Sequence, residues 1–175
     1  MSRCQITLSV NAGVALHLGQ HRVWSDALHD RRVVGFSTVT PQLWSILQAH
    51  PDFARPEILF YTHCHPDHYS RALTEQVVAR NPAAILVLPE QEFDSQVRLA
   101  GPGSHLTIGD LRMDFFQLTH EGPQYREVPH YGCILESGGF RVLIAGDCAV
   151  ADPRLADFIG GPPANILPTH GSAEA

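Results

Sequence analysis

Three histidines and an aspartate fall within six residues near the middle of the chain. Residues 62–68 read Thr-His-Cys-His-Pro-Asp-His and follow residues 56–61, an apolar run rich in strand-forming side chains. Side chains two apart on a strand share a face, so His63 and His65 are predicted to point at one place. Imidazole and carboxylate groups bind borderline cations such as zinc. Two more candidates follow the proline that ends the strand, and they suit a neighbouring cation: Asp67 and His68.

This interpretation has an ordinary alternative, because a single histidine is more often a packed or surface residue than a metal ligand. Several imidazoles and a carboxylate this close would repel one another when protonated, or lose solvation when neutral, unless they share a ligand. Further candidates follow other apolar runs: His120 after residues 111–118, Asp147 in an Ala-Gly-Asp turn, and His170 after residues 164–167. Metal binding is therefore the favoured interpretation.

The pattern His63-x-His65-x-Asp67-His68 resembles the HxHxDH signature of the metallo-β-lactamase superfamily, and the later candidates fall in that family's order. The resemblance implies two divalent cations with a water or hydroxide between them. The first cation would be held by three histidines: His63, His65 and His120. The second would be held by an aspartate and two histidines: Asp67, His68 and His170. The carboxylate of Asp147 would bridge the two cations, which would be zinc, with manganese or iron as alternatives.

Other side chains acquire roles from the resemblance alone. Asp26, after a predicted strand, would lie beneath the metals; an ordinary strand-end turn residue is the alternative. His130, just before a glycine and a strand, would contact the substrate or the transition state; a histidine hydrogen-bonded under a loop is the alternative. Asp67 is predicted to orient the nucleophile and to pass a proton to the leaving group.

The elements that must position these residues follow from the apolar patterning. Helices are predicted at residues 41–50, 71–80, 90–99 and 153–159, the first two with Thr40 and Ser70 as N-caps. The resemblance implies an α/β fold, an αββα sandwich of two mixed β-sheets flanked by helices. We expect one such domain over residues 1–175. The chain ends five residues after His170, earlier than in the family, so a shortened C-terminus is expected.

The composition limits the classes of binding partner and the cellular compartment that we expect for this protein. The formal net charge is −6, and all twelve basic residues are arginine. An acidic chain without a basic block argues against extended nucleic-acid partners. Four cysteines without a CxxC pair predict free thiols in a reducing compartment, and neither a signal peptide nor a membrane-spanning apolar run is found. We expect a cytoplasmic protein with a small-molecule substrate and no membrane partner. The oligomeric state, a homo-oligomer included, stays open.

The leading hypothesis is a hydrolase whose metal-activated hydroxide attacks a small ester, lactone, amide or phosphoester. The first alternative is a nuclease or phosphodiesterase, an activity of several relatives in the family that the sequence resembles. The second is a di-iron redox or metal-binding module, and the third is a degenerate fold without activity. The substrate is expected to be selected by loops at residues 27–40 and 121–129, because loops at strand ends commonly carry specificity.

Overall fold

Two β-sheets face each other in the structure, a computed structural model that describes residues 3–101, 103–149 and 151–160 and the backbone of residues 165–167. The first sheet has six strands: β1 (Cys4–Leu8), β2 (Val14–Leu18), β3 (His21–Ser25), β4 (Ile58–Phe60), β5 (Ile85–Leu88) and β6 (Val97–Arg98). They lie in the order β1-β2-β3-β4-β5-β6. The first three strands are antiparallel neighbours and the later ones join in parallel, so the sheet is mixed.

The second sheet has five strands: β7 (His105–Ile108), β8 (Leu111–Gln117), β9 (Tyr131–Ser137), β10 (Phe140–Ile144) and β11 (Asn165–Leu167). Their order is β11-β10-β9-β8-β7. Strands β7 to β10 pair in antiparallel fashion, whereas β11 joins β10 in parallel. This sheet is therefore also mixed, and the predicted α/β sandwich of two mixed sheets is confirmed.

Helices cover the outer faces of both sheets: α1 (Pro41–Ala49), α2 (Arg71–Arg80) and α3 (Pro153–Ile159). The side chains of Thr40 and Ser70 accept hydrogen bonds from the first turns of α1 and α2, so both predicted N-caps are confirmed. Trp44 of α1 packs in the apolar cluster on the outside of the first sheet. Phe158 of α3 stacks on Phe116 of the second sheet, with ring centroids 4.4 Å apart. Among the described residues, no helix combines the length and apolar character needed to cross a membrane.

The core between the sheets consists of alternating strand residues. Leu16 and Leu18 of β2 and Phe60 of β4 meet Phe115 and Met113 of β8 in one buried cluster. The Phe60 and Phe115 rings lie 5.2 Å apart. Each large side chain removed from water in this way contributes about 1.5–3 kcal/mol. The packed core fixes both sheets relative to each other and therefore fixes the strand ends that carry the candidate residues.

The predicted helix at residues 90–99 is wrong, because these residues form a loop and the short strand β6. The Gln96 side chain accepts hydrogen bonds from the backbone N–H groups of Glu92 and Phe93 and donates one to the carbonyl of Glu90. Side-chain bonds of this kind satisfy backbone groups that a helix would otherwise pair. The parallel partner offered by β5 then holds Val97 in a strand.

Candidate metal centre

Four strands end on the same side of the sandwich, and each is followed by a candidate residue: Asp26 after β3, His63 after β4, His120 after β8 and Asp147 after β10. Backbone hydrogen bonds beyond the regular ladders join these ends. The N–H of Tyr131 donates to the carbonyl of Thr62 at 2.8 Å, and the N–H of Glu121 donates to the carbonyl of Asp147 at 2.7 Å. The candidate residues therefore stand on rigid elements, and the two sheets both contribute to one site.

Donor atoms converge there in two groups, and within each group they lie within 4.8 Å of one another. The first group is formed by three histidines: His63, His65 and His120. The second group shares one histidine with the first: His63, His68 and Asp147. The Nε2 atoms of His63 and His120 are 3.3 Å apart. Imidazole nitrogens and a carboxylate in this arrangement could bind a zinc, manganese or iron ion.

The carboxylate of Asp147 faces both groups of donors. Its Oδ2 atom lies 3.3 Å from Nε2 of His68 and 3.8 Å from Nε2 of His120. The residue before it, Gly146, has φ +58°, in the left-handed region that favours glycine. This turn brings the carboxylate to the place where a ligand bridging two cations is predicted.

Hydrogen bonds fix the ring orientation of the histidines from the side away from the cluster. Nδ1 of His68 is 3.1 Å from Oδ2 of Asp26, and Nδ1 of His120 is 2.7 Å from the carbonyl oxygen of Glu121. Carboxylate and carbonyl oxygens can only accept, so Nδ1 carries the proton in both rings. Nε2 of each ring thereby faces the Asp147 carboxylate. Metal-ligating histidines are characteristically held in this way.

Asp26 reaches a third histidine, His63, through Thr62. The backbone N–H and the hydroxyl of Thr62 donate to the two carboxylate oxygens of Asp26, at 2.8 and 2.7 Å. Because the hydroxyl proton is used there, the hydroxyl oxygen accepts from Nδ1 of His63 at 3.0 Å. Asp26 is fully buried and lies beneath the cluster, where the resemblance had predicted it. The role of Thr62 was missed, although its position directly before the first histidine of the motif was a usable signal.

Burial and neighbouring charges set the protonation of the cluster. Burial lowers the pKa of His63 well below its usual value, and it also lowers the pKa of His65. Burial opposes a charge on His68 as well, but hydrogen bonds to Asp147 and Asp26 outweigh it and raise the pKa to about 10. A divalent cation would replace the Nε2 proton of His68 and supply the positive charge that these carboxylates attract. The donor set therefore fits a divalent cation.

His130 is buried beside the cluster, with its ring centroid 5.3 Å from that of His63 and 5.5 Å from that of His120. Within the described part of the chain neither ring nitrogen has a hydrogen-bond partner of ordinary geometry. Burial and the nearby His120 lower its pKa to about 3. A Cβ atom on Gly146 would come within 2.6 Å of its Nε2. The absence of a side chain at Gly146 is thus what leaves room for His130.

One predicted ligand among the described residues, Asp67, belongs to neither of these two groups. The Asp67 carboxylate is partly exposed, and its Oδ2 lies 3.9 Å from Nε2 of His68. The amide of Asn11 donates to the Asp67 backbone carbonyl at 3.2 Å and so ties the ligand loop to the β1–β2 turn. His170 lies outside the described residues. All four cysteines are free, as predicted.

Comparison with known proteins gives the family. A sequence model described as a beta-lactamase superfamily domain matches residues 21–174. Among curated proteins, none matches the sequence. The fold resembles CmlA, a diiron beta-hydroxylase from Streptomyces venezuelae, at 16% identity and TM-score 0.67 over 95% of this chain and 34% of CmlA.

Two hydrolases have the same fold. The isothiocyanate hydrolase from Delia radicum gut bacteria is 15% identical, with TM-score 0.62 over 95% of this chain and 72% of that protein. Igni18, a metallo hydrolase from Ignicoccus hospitalis, is 17% identical, with TM-score 0.57 over 91% of this chain and 66% of Igni18. The chain thus spans about a third of CmlA and about two thirds of Igni18. The sequence match and the shared sandwich together place this chain in the metallo-β-lactamase superfamily.

Proposed function

We propose that this protein is a metal-dependent hydrolase that uses two divalent cations to cleave a small ester, lactone, amide or phosphoester. One observation carries the proposal, the hydrogen-bonded orientation of three histidines: His63, His68 and His120. Each donates from Nδ1 to an oxygen outside the cluster, which turns Nε2 towards the other donors of the site. Histidines that serve only packing gain nothing from facing their remaining nitrogens towards one another, whereas a bound cation stabilises that arrangement.

We assign the ligands to the two cations as the family resemblance implies. The first would be held by three imidazoles: His63, His65 and His120. The second would be held by His68 and Asp67, with Asp147 between the two cations and His170 as a further ligand from outside the described residues. When bound, divalent cations lower the pKa of a coordinated water towards neutrality and stabilise negative charge on the substrate.

Two side chains are proposed to act on the substrate. Asp67 is partly exposed beside His68, so its carboxylate is accessible to a substrate and can accept a proton from the attacking water and deliver it to the leaving group. His130 has ring nitrogens without an ordinary partner among the described residues, so it can donate a hydrogen bond to the oxygen that gains charge. Both roles are predictions, and an Asp67→Asn variant tests the first of them.

A di-iron redox enzyme is the second candidate function. CmlA is a diiron beta-hydroxylase with this fold, whereas two of the other similar structures are hydrolases. These likenesses concern the fold alone, and the imidazole and carboxylate donors suit iron as well as zinc. The acidic charge of −6 without lysine disfavours a nuclease that binds long substrates. Purification without added metal, followed by elemental analysis, separates the candidates: stoichiometric iron with visible absorption supports redox chemistry.

The decisive test of hydrolysis is Asp67→Asn, assayed on a panel of small esters, lactones, amides and phosphoesters. We expect the variant to retain most of its metal and to lose about 10²–10⁴-fold in turnover, because a positioned proton acceptor contributes that much. Asp94→Asn, at an exposed loop position, is the matched control and should behave as wild type. Unchanged turnover in Asp67→Asn, or wild-type protein that binds no divalent metal, would contradict the proposal.

A further inference from the structure

The imidazoles of the candidate metal centre are not all held in the same way. Three of them have a hydrogen-bonded Nδ1, on an alcohol, a carboxylate or a carbonyl: His63, His68 and His120. The side chain of His65 has no hydrogen-bond partner anywhere in the described residues. His65 is also the most exposed of the four, since the others are buried. A ligand ring without an orienting bond would rotate freely unless packing held it.

The phenol ring of Tyr125 packs against this unbonded imidazole. Its centroid is 5.0 Å from that of His65 with the planes 66° apart, and 5.0 Å from that of His120. The His65 and His120 rings are themselves 4.8 Å apart. The three ring centroids therefore form a nearly equilateral triangle, and the His65–Tyr125 pair has the edge-to-face geometry that aromatic groups favour. His63 contacts the same pair of imidazoles, at 4.6 and 4.7 Å.

The loop after His120 is shaped to place this ring. Gly122, with φ +85°, opens a short 3-10 turn over Pro123–Tyr125. The N–H of Tyr125 donates to the carbonyl of Gly122 at 3.0 Å, and its own carbonyl accepts from the N–H of Val128 at 3.0 Å. Tyr125 nevertheless remains 40% exposed, so burial of its ring does not explain the position. The contact that the turn secures is the one with the two imidazoles.

We propose that Tyr125 is the positioning residue of His65, and that ring packing does for this ligand what a hydrogen bond does for the other three. An aromatic pair stabilises a given geometry by about as much as a neutral hydrogen bond does. Packing against Tyr125 can therefore hold the His65 ring in place of a hydrogen bond. His120 touches the same ring but is fixed independently by the Glu121 carbonyl. Loss of the ring is therefore expected to release His65 selectively. This inference rests on the proposed function, in which His65 is a metal ligand.

Three variants test the inference: Tyr125→Phe, Tyr125→Ala and, as a control in the same turn, Gln124→Ala. Zinc affinity is measured by chelator competition, and ring motion of His65 and His120 by NMR relaxation of the metal-free protein. We expect Tyr125→Ala to weaken zinc binding about 10-fold, at the lower end of the effect of removing an orienting partner. In that variant the His65 ring becomes mobile while His120 stays fixed. Tyr125→Phe and Gln124→Ala should match wild type in both measurements.

The outcomes separate the inference from the proposed function. Wild-type protein that binds neither zinc, manganese nor iron overturns the proposed function and this inference with it. Wild-type protein that binds zinc, together with a Tyr125→Ala variant of unchanged zinc affinity and unchanged His65 motion, overturns the inference alone. Equal mobilisation of His65 and His120 also overturns it, because the loop would then have lost its general structure. The melting temperature of each variant shows whether the sandwich is intact.

Discussion

Histidines are buried at both ends of the sandwich, and their surroundings differ. At the metal end the imidazoles face one another, with the His63 ring 4.1 Å from that of His68. At the opposite end, where β3 begins, His21 lies between two carboxylates. Its Nδ1 is 2.7 Å from Glu57 and its Nε2 is 2.9 Å from Asp110. Burial alone would lower the pKa of His21, but hydrogen bonds to Asp110 and Glu57 outweigh it and raise the pKa.

The difference concerns how the ring nitrogens are paired. Each nitrogen of His21 has its own carboxylate, one before β4 of the first sheet and one in the β7–β8 turn of the second. Asp110 also accepts from the hydroxyl of Ser137 at 2.8 Å, so this end is a satisfied link between the sheets. At the metal end the Nε2 atoms of different rings face one another and the Asp147 carboxylate. Paired donors indicate a structural role, and convergent donors indicate a site for a cation.

A pair of glycine-to-alanine substitutions, one at each end, should produce the largest difference in stability and in zinc binding. Gly146 and Gly109 have nearly the same backbone angle, φ +58° and +57°. An added methyl would lie 2.6 Å from Nε2 of His130 at the first position, but 3.6 Å from Cε1 of His21 at the second. Gly109→Ala should cost only the left-handed strain of about 1–2 kcal/mol. Gly146→Ala should cost about 1–3 kcal/mol more and weaken zinc binding, because His130 must move.

The measurements for this pair are denaturant unfolding and zinc titration of each variant. Gly109→Ala serves as the control for backbone strain, since it has the same φ and ordinary contact distances. Equal losses of stability in the two variants, with equal zinc affinity, would contradict the tight packing of Gly146 against His130 and Thr62. A loss of zinc affinity confined to Gly146→Ala would agree with it.

Replacement of an aspartate by asparagine at each end should give the next largest difference, which is expected in zinc affinity. In Asp26→Asn the new amide NH₂ faces a donor in either orientation: the Thr62 backbone N–H at the Oδ1 position, or both the Thr62 hydroxyl and Nδ1 of His68 at the Oδ2 position. At least one of these buried hydrogen bonds therefore fails. Zinc affinity should fall about 10–100-fold. Asp110→Asn removes a carboxylate from His21 and should leave zinc affinity unchanged. Equal affinities in the two variants would show that Asp26 does not orient the ligands.

The candidate residues of the metal end could be singled out from the sequence because their signals are local. The spacing of His63 and His65 on one strand, and the glycine before Asp147, are visible within a few residues. The N-caps Thr40 and Ser70 are local in the same sense. The family resemblance supplied Asp26, which has no pattern of its own. The fold was therefore accessible from the sequence, whereas the full ligand set stays a prediction.

Features made by tertiary contacts were not accessible. Nothing in the sequence connects His21 with Asp110, because the pair exists only when the two sheets face each other. The position of Tyr125 over His65 likewise depends on the turn that Gly122 opens. The helix predicted at residues 90–99 failed because Gln96 folds back on its own loop. In each case the local structure depends on a side-chain contact that the neighbouring residues in the sequence do not indicate.

The smallest expected effect is a pH-dependent stability at the end opposite the metals. Because the pKa of His21 is higher in the folded than in the unfolded chain, its ion pairs stabilise the fold fully below the unfolded value of about 6.5. This contribution is lost as the pH rises through the folded-state pKa.

His21→Gln should therefore lower the melting temperature more at pH 5 than at pH 9. The effect at pH 5 should be only a few degrees, because Glu57 and Asp110 are partly solvated and their charges are screened. Thermal melts of both proteins across this range provide the measurement, and the difference between them removes the titration of the metal ligands, which both share. A difference that grows with rising pH would mean that His21 is neutral in the folded protein, and the contrast between the two ends would then rest on hydrogen bonding alone.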